Sequence, residues 1–258
     1  MNESHSLFLV KDKVIILTGG GGFLGSQYAR ALTEGGAQVI RWDMCEASGV
    51  TVVDITDEQA VQEAVADVVE QYGHIDVLIN NAAMNPPAGS EEAKKYSLPY
   101  EEYSIELWKK ELEVNLTGMM ICTKAIAPHM MKQRSGSIIN VSSDVSVIAH
   151  DHRLYADSEN RRFKSIAYTT SKSAVLGFTR QWAARLGSYN VRVNTFSPVG
   201  MQMSGIAEDF VQRYGDTTMF GRMAQENEYN GAIIFLCSDA SAFMTGANLL
   251  IDGGRSAW

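Results

Sequence analysis

Tyr168 and Lys172, in the segment Tyr168-Thr-Thr-Ser-Lys172, are residues that can move a proton together. Four apart, they share one face of a helix. An ammonium beside a phenol favours the phenolate, which brings a tyrosine toward use as a general base. Such a pair is common and by itself reads equally well as a surface contact. Its surroundings sharpen the reading. Ser142-Ser143 precedes it at the end of a predicted strand, Asn115 lies in a predicted helix before that, and Asn80-Asn81-Ala82-Ala83 closes an earlier strand.

A second group of residues suits phosphate. The run Thr18-Gly19-Gly20-Gly21-Gly22-Phe23-Leu24-Gly25 follows an apolar strand and precedes a helix. Glycines there let backbone approach a pyrophosphate, and the helix N-terminus offers unpaired N–H groups and a favourable dipole. A glycine cluster also explains a tight turn. The acid at the end of the second strand, Asp43, adds weight, because it stands near the roughly 20-residue offset at which a carboxylate binds the ribose diol of NAD. A carboxylate there repels a 2′-phosphate, so NAD is favoured over NADP. Arg41 lies on the same side of that strand and is the residue that could accommodate the phosphate.

These groups need a scaffold, and the hydrophobic pattern predicts one. Strands are predicted at Lys13–Thr18, Gln38–Trp42, Val50–Val53, Ile75–Ile79, Ser137–Val141, Val191–Phe196 and Asn248–Ile251. A helix is predicted over Phe23–Glu34. Another opens at Thr56 with a capping box, Thr56 and Gln59, and an apolar stripe of Ala60, Val61, Ala64, Val65 and Val68. Further helices fall near 105–130, 167–187 and 226–237. Strands apolar on both faces, separated by crossover helices, predict an α/β fold: a Rossmann-type, doubly wound, seven-stranded parallel sheet with helices on both faces. The 258 residues are read as one dinucleotide-binding catalytic domain. Long loops fall at Met84–Ser104, Asp144–Ile166 and Pro198–Ala224, the last a candidate substrate loop.

Composition narrows the partners. Lys plus Arg number 22 against 30 Asp plus Glu, a net charge of −8. An acidic chain is poorly suited to nucleic acid or an anionic membrane surface. No run has the length of a transmembrane helix, and the N-terminal apolar stretch Leu7–Val10 is too short for a signal sequence. The three cysteines, Cys45, Cys122 and Cys237, are far apart and odd in number, which fits a reducing, cytoplasmic setting.

With TGGGGFLG, Asp43, Val53-Asp54-Ile55, NNAA, EVNLTG around Asn115, NVSS, YTTSK, NVRVNTFSPVG and SDASAFMTGANLLIDGG in this order, the chain resembles the short-chain dehydrogenases/reductases of the shorter, single-domain branch. The resemblance implies reversible hydride transfer between alcohol and carbonyl, and a homotetramer or homodimer. It makes Tyr168 the acid/base and gives Lys172 the tasks of lowering its pKa and binding the nicotinamide ribose. It makes Ser143 the holder of the reacting oxygen and Asn115 the anchor of a relay water. Gly19, Gly22, Phe23, Leu24 and Gly25 fall in the phosphate loop. Asp54 and Ile55 match the adenine pocket, Asn81 and Ala82 the adenosine-side wall, and Pro198 and Gly200 the segment beside the nicotinamide.

The chain departs from the pattern in several places. The loop spacing TGxxGxxG resembles the longer branch of nucleotide-sugar epimerases and dehydratases, NNAA replaces NNAG, and no threonine follows Pro198-Val199-Gly200 at the usual position. The Ser143–Tyr168 interval is lengthened by His150–Lys164, an insertion near 144–166 in which Tyr155 is a decoy because residue 159 is Glu. This segment carries Arg153, Arg161, Arg162 and Lys164 against Asp151, Asp157 and Glu159, which suits a polar, sugar-like substrate. The chain resembles gluconate-type sugar-acid dehydrogenases and the short-chain oxidoreductases of flagellin-modification (legionaminic-acid) clusters, and the latter share the GGGGFLGS loop style and the lengthened Ser–Tyr segment. Nucleotide-sugar modification and NAD sensing are the rival readings. His150-Asp151-His152 lacks the further ligands of a zinc site and reads as a polar loop. Met201, Met203, Met219 and Met223 read equally as pocket wall or packing. The Gly254–Trp258 tail is of the kind that reaches an oligomer interface.

Overall fold

β1 (Val14–Thr18) is Val-Ile-Ile-Leu-Thr, and every residue in it is buried. Successive strand side chains face opposite sides. Val14 and Ile16 therefore enter one core and Ile15 and Leu17 another. The computed structural model, which describes residues 6–85, 94–155 and 163–258, covers both sides of this strand. β2 (Gln38–Asp43), β3 (Thr51–Val52), β4 (Val77–Asn80), β5 (Gly136–Val141), β6 (Val191–Pro198) and β7 (Asn248–Ile251) complete one sheet in the order β3-β2-β1-β4-β5-β6-β7. All six pairings are parallel.

The described helices are α1 (Phe23–Glu34), α2 (Glu58–Tyr72), α3 (Ile105–Leu112), α4 (Met119–Gln133), α5 (Ile166–Leu186), α6 (Glu208–Gly215) and α7 (Asn230–Cys237). α1 and α7 close one face with Tyr28, Leu32, Ile233 and Leu236. α2, α4 and α5 close the other with Val61, Val65, Ile126, Met130 and Leu186. This is the doubly wound arrangement that the pattern predicts. None of the described helices is long and apolar enough to cross a membrane.

Several local expectations change. α2 is capped by Asp57, whose carboxylate accepts from the Gln59 and Ala60 N–H groups at 2.9 and 3.1 Å. Thr56 instead donates its hydroxyl to Asp54 at 2.7 Å, so the cap falls one residue after the predicted one and, with Ala60 three residues on, the predicted capping box does not form. In the stripe, Val61, Val65 and Val68 are buried, while Ala60 and Ala64 are only partly covered. The helix expected near 105–130 is α3, a π-helical turn at Glu113–Gly118, and α4. The segment 198–224 is not a bare loop, because it carries α6.

The switch in strand order lies between the adjacent strands β1 and β4, from which the order proceeds outward to opposite edges. The carboxyl ends of strands at such a point form a crevice for a ligand. A buried polar chain pins the elements around it. Asn80 donates to Asn140 (2.8 Å) and Thr123 (3.1 Å), Asn140 donates to Thr179 (2.9 Å), and Thr179 meets Thr195 (2.7 Å). These bonds join β4, β5, β6, α4 and α5 in a region where an unpaired polar group is costly.

Candidate active site

The loop after β1 is built for close approach to its own turn. A Cβ on Gly25 would stand 2.1 Å from the Gly19 carbonyl oxygen, and Gly19 itself has a φ of +64°. Gly22, the N-cap of α1, gives no side-chain cap, which leaves the first-turn N–H groups to an anion. Phe23 is exposed at that turn, and Leu24 packs partly against the core. Bare backbone and a helix N-terminus fit the pyrophosphate of a dinucleotide, and the downstream acid fits its ribose.

Asp43 ends β2 beneath this loop. Its carboxylate accepts from Gly21 N–H at 3.0 Å and from Cys45 N–H at 3.2 Å. Arg41 is turned into the same loop, but its guanidinium donates to the Gly20 and Ser48 carbonyls at 2.9 and 3.2 Å. Asn81 clamps the loop from β4, donating from its side chain to the Thr18 and Gly19 carbonyls. The N–H groups of Asn81 and Ala82 both reach the Thr18 hydroxyl. Asp54 is exposed and lines an open cleft with Met44 and Val114. Ile55 is buried in the core under β3. Pro198 ends β6, and Gly200 N–H donates to the Tyr214 phenol at 2.9 Å.

Ser143 follows β5, and Tyr168 lies in the first turn of α5. Ser165 caps that helix by accepting from Tyr168 N–H at 3.1 Å. The cap is itself held, because Ser165 donates to the buried Glu111 carboxylate and Tyr103 hydrogen-bonds the same group. Burial pushes the Glu111 carboxyl up, against the hydrogen bonds from Tyr103 and Ser165. Lys172 is buried, donates to the Val141 carbonyl at 2.8 Å, and lies 5.7 Å from the centre of the Tyr168 ring. Burial lowers its amine to about 8. The Tyr168 phenol is pushed up to about 12 by burial, with Ser143 beside it pulling the other way and Asp144 and Glu111 adding to the rise.

Asn115 stands in the π-helical turn, fully buried. Its carbonyl accepts from Met84 N–H at 2.6 Å and its amide donates to Ser171 at 3.2 Å, one residue from Lys172. A π-turn of this kind is frequent at functional sites because it re-aims a side chain.

The inserted segment places Lys164 where the sequence left only a charged loop. Its ammonium lies 4.6 Å from the Tyr168 ring centre and hydrogen-bonds Asn85. Burial lowers its amine to about 8. Arg153 turns the other way: its side chain is 91% exposed and paired with Asp151 at 2.8 Å. Arg161, Arg162, Asp157 and Glu159 lie outside the described residues. His150 is held neutral, its pKa lowered to about 3 by burial and by nearby Lys164 and Arg255, and it meets the Tyr155 hydroxyl at 3.1 Å. Met201 and Met223 are buried in the core, so packing accounts for them, whereas Met219 is half exposed.

Sequence reasoning missed Glu111, Ser165, Asp144 and Arg255. Each is a single polar residue in an ordinary context, and only the fold shows that it touches the site. The tail expected to face outward sends Arg255 inward, 2.5 Å from Asp144, with both side chains 3% exposed.

Comparison with known proteins agrees with this geometry. Residues 23–256 match a family model described as enoyl-(acyl carrier protein) reductase. A trans-4-hydroxycyclohexanecarboxylate dehydrogenase of Sinomonas cyclohexanicum is 32% identical over 269 residues, covering 96% of this chain and 94% of that protein. A short-chain dehydrogenase from Leptospira borgpetersenii with bound NAD+ superposes with a TM-score of 0.85 at 28% identity, covering 99% of this chain and 96% of that one. A gluconate 5-dehydrogenase from Burkholderia cenocepacia, in complex with NADP and tartrate, gives 0.84 at 26%, covering 99% of each. The chain belongs to the short-chain dehydrogenase/reductase family, nicotinamide-dependent oxidoreductases acting on CH–OH groups.

Proposed function

We propose that this protein is an NAD-dependent dehydrogenase interconverting a secondary alcohol and a carbonyl on a polar, sugar-like substrate. The single observation behind the reading is the meeting of Ser143, Tyr168 and Lys172 beside a glycine loop with an acid beneath it. Nicotinamide, when bound, supplies hydride acceptance or donation at the reacting carbon. The chain supplies the rest. Tyr168 takes the hydroxyl proton during oxidation and returns it during reduction. Ser143 hydrogen-bonds the reacting oxygen. The Lys172 ammonium favours the phenolate, and it is charged at neutral pH even with its amine lowered to about 8. Asn115 ties the Met84 segment to α5 next to Lys172 and holds the relay water that the family resemblance implies.

Gly19, Gly22, Phe23, Leu24 and Gly25 receive the pyrophosphate, and Asn81 keeps their loop in shape. Asp54 and Ile55 border the adenine, Ala82 the adenosine side, and Pro198 and Gly200 the nicotinamide. Asp43 receives the ribose diol. Choice of NAD over NADP is supported by this carboxylate and by Arg41, whose guanidinium is occupied by two carbonyls. A polar substrate is supported by Lys164, a cation beside the phenol that contact with a hydrocarbon chain would desolvate further. We place the protein in the cytoplasm as a homo-oligomer, supported by its free cysteines and by exposed Phe220, Phe243 and Trp258.

The test is nucleotide reduction, followed by absorbance, with NAD+ and NADP+ against polyols, aldoses, gluconate, trans-4-hydroxycyclohexanecarboxylate, nucleotide sugars and long-chain alcohols. NAD+ reduction with a polyol, sugar or hydroxy acid is expected. A preference for NADP+ or for long apolar alcohols overturns the specificity. Rearrangement of a nucleotide sugar without net nucleotide reduction overturns the reaction.

A further inference from the structure

Charge around Ser143 and Tyr168 does not balance among the described residues. Lys164, Lys172 and Arg255 stand there against Glu111 and Asp144. Both acids already have partners. Glu111 accepts from the Ser165 hydroxyl at 2.7 Å and from Tyr103, and Asp144 pairs with Arg255 at 2.5 Å. The cation left over is Lys164. It is partly buried, lies 4.6 Å from the centre of the Tyr168 ring and makes no ion pair among the described residues. It donates to the Asn85 side-chain oxygen, which is neutral and does not offset the charge. An ammonium has three donors, so two remain for another acceptor.

His150 adds an independent sign. Its Nε2 meets the Tyr155 hydroxyl at 3.1 Å, while its Nδ1 is buried with no hydrogen-bond partner among the described residues. The ring is neutral, since burial and the nearby Lys164 and Arg255 all oppose its protonation. A buried polar atom calls for a partner, and one close to a surplus cation suits an oxygen. Both residues lie in the segment that leaves Ser143 and returns at α5, so a group held there sits beside the reacting carbon.

We propose that Lys164, with His150 beside it, binds a carboxylate of the substrate, and that the enzyme therefore interconverts short hydroxy acids and keto acids. The chain's own surplus is one positive charge, which matches a carboxylate, whereas a phosphate ester carries about 1.5–2 negative charges. Two free ammonium donors form charge-assisted hydrogen bonds with carboxylate oxygens. The ammonium lies against the Tyr168 ring, so only a few bonds separate a carboxylate held by it from an oxygen held by the phenol. The alcohol C–H and O–H bonds break as C=O forms, with hydride passing to NAD+ and the proton to Tyr168, and the carboxylate is carried through unchanged. The inference rests on the proposed chemistry of Tyr168 and narrows its substrate.

The experiment measures initial rates of NAD+ reduction with gluconate, glycerate and trans-4-hydroxycyclohexanecarboxylate, each beside its primary amide, and with glycerol 3-phosphate. For the acid that the parent turns over best, kcat/KM is expected to exceed that of its amide by roughly tenfold to a hundredfold, the worth of hydrogen bonds to a charged group. Lys164→Met should raise the KM of the acid relative to that of the amide by the same factor, bringing the preference near one. Lys164→Arg should keep most of the preference, and His150→Ala should reduce it by less than Lys164→Met does. If Lys164→Met does not fold, Lys164→Gln takes its place. Binding is read without turnover by calorimetric titration of the acids into Tyr168→Phe protein saturated with NAD+, with and without Lys164→Met. Acids that bind the lysine form more tightly support the inference. It is overturned by acids that fail to bind, by equal use of acid and amide, by a preference that survives Lys164→Met, or by glycerol 3-phosphate outrunning glycerate. Oxidation of neutral polyols in place of acids also removes it and leaves the reading of Tyr168 standing. Undiminished turnover by Tyr168→Phe overturns that reading instead, whatever Lys164 does.

Discussion

In the proposed reaction Lys172 and Asp43 carry separable parts of the chemistry. Removing the Lys172 ammonium takes away the charge that favours the phenolate, so Lys172→Met should move the acid limb of alcohol oxidation to higher pH. A pH profile of kcat/KM checks the direction, and a downward move contradicts the assignment. Asp43→Ala should narrow the proposed preference for NAD+ over NADP+ in paired KM measurements, since a carboxylate that would repel a 2′-phosphate is gone. At this scale the sequence singled out residues whose type has one strong use, and the structure places them accordingly: Lys172 and Ser143 beside Tyr168, and Asp43 against the glycine loop. The sequence was silent on Asp144, Glu111, Ser165 and Arg255. An acid beside a serine or an arginine near a terminus has many uses, and only tertiary contact selects one. For Lys164 the sequence supplied the charge and the structure supplied its direction, toward Tyr168, while Arg153 turned to solvent.

The helix and strand scale was legible through burial. Strands apolar on both faces stood out because a central parallel strand has no polar side, and α1 and β7 fall at the predicted bounds. The ends and interruptions were harder. Thr56 and Asp57 both suit an N-cap, and backbone geometry gave the place to Asp57. Asp57→Ala should therefore destabilise the fold by about 1 kcal/mol, and Thr56→Ala by less. Denaturant titration of the two variants decides this, and a larger loss from Thr56→Ala would restore the capping box. The π-turn at Glu113–Gly118 leaves no periodic trace, since one residue of slippage is lost within an amphipathic pattern. The Asn80–Asn140–Thr179 chain also hides, because polar residues in a strand read as its solvent side. Asn140→Ala leaves buried partners unpaired and should cost about 1–3 kcal/mol by the same measurement. Unchanged stability would mean that this chain does not pin the strands.

Across the whole molecule, the order β3-β2-β1-β4-β5-β6-β7 gathers residues from distant parts of the chain onto one crevice. β1 and β2 bring the phosphate loop and Asp43, the turn before α4 brings Asn115, β5 brings Ser143, α5 brings Tyr168 and Lys172, and the tail brings Arg255. The crossover pattern predicted this convergence. The inward turn of the tail was not readable, because Gly254–Trp258 is short and its apolar end suggested an interface. Trp258 does remain exposed, as do Phe220 and Phe243. Light scattering after gel filtration should return a mass of two or four chains, and a monomer would remove the homo-oligomer. The central claim, that this crevice oxidises an alcohol through Tyr168, is tested most directly by comparing the parent protein and Tyr168→Phe in one preparation, measuring nucleotide reduction and NAD+ affinity together. Turnover lower by about 10²–10⁴-fold with NAD+ affinity retained is the predicted result. Turnover that survives the loss of the hydroxyl would contradict it.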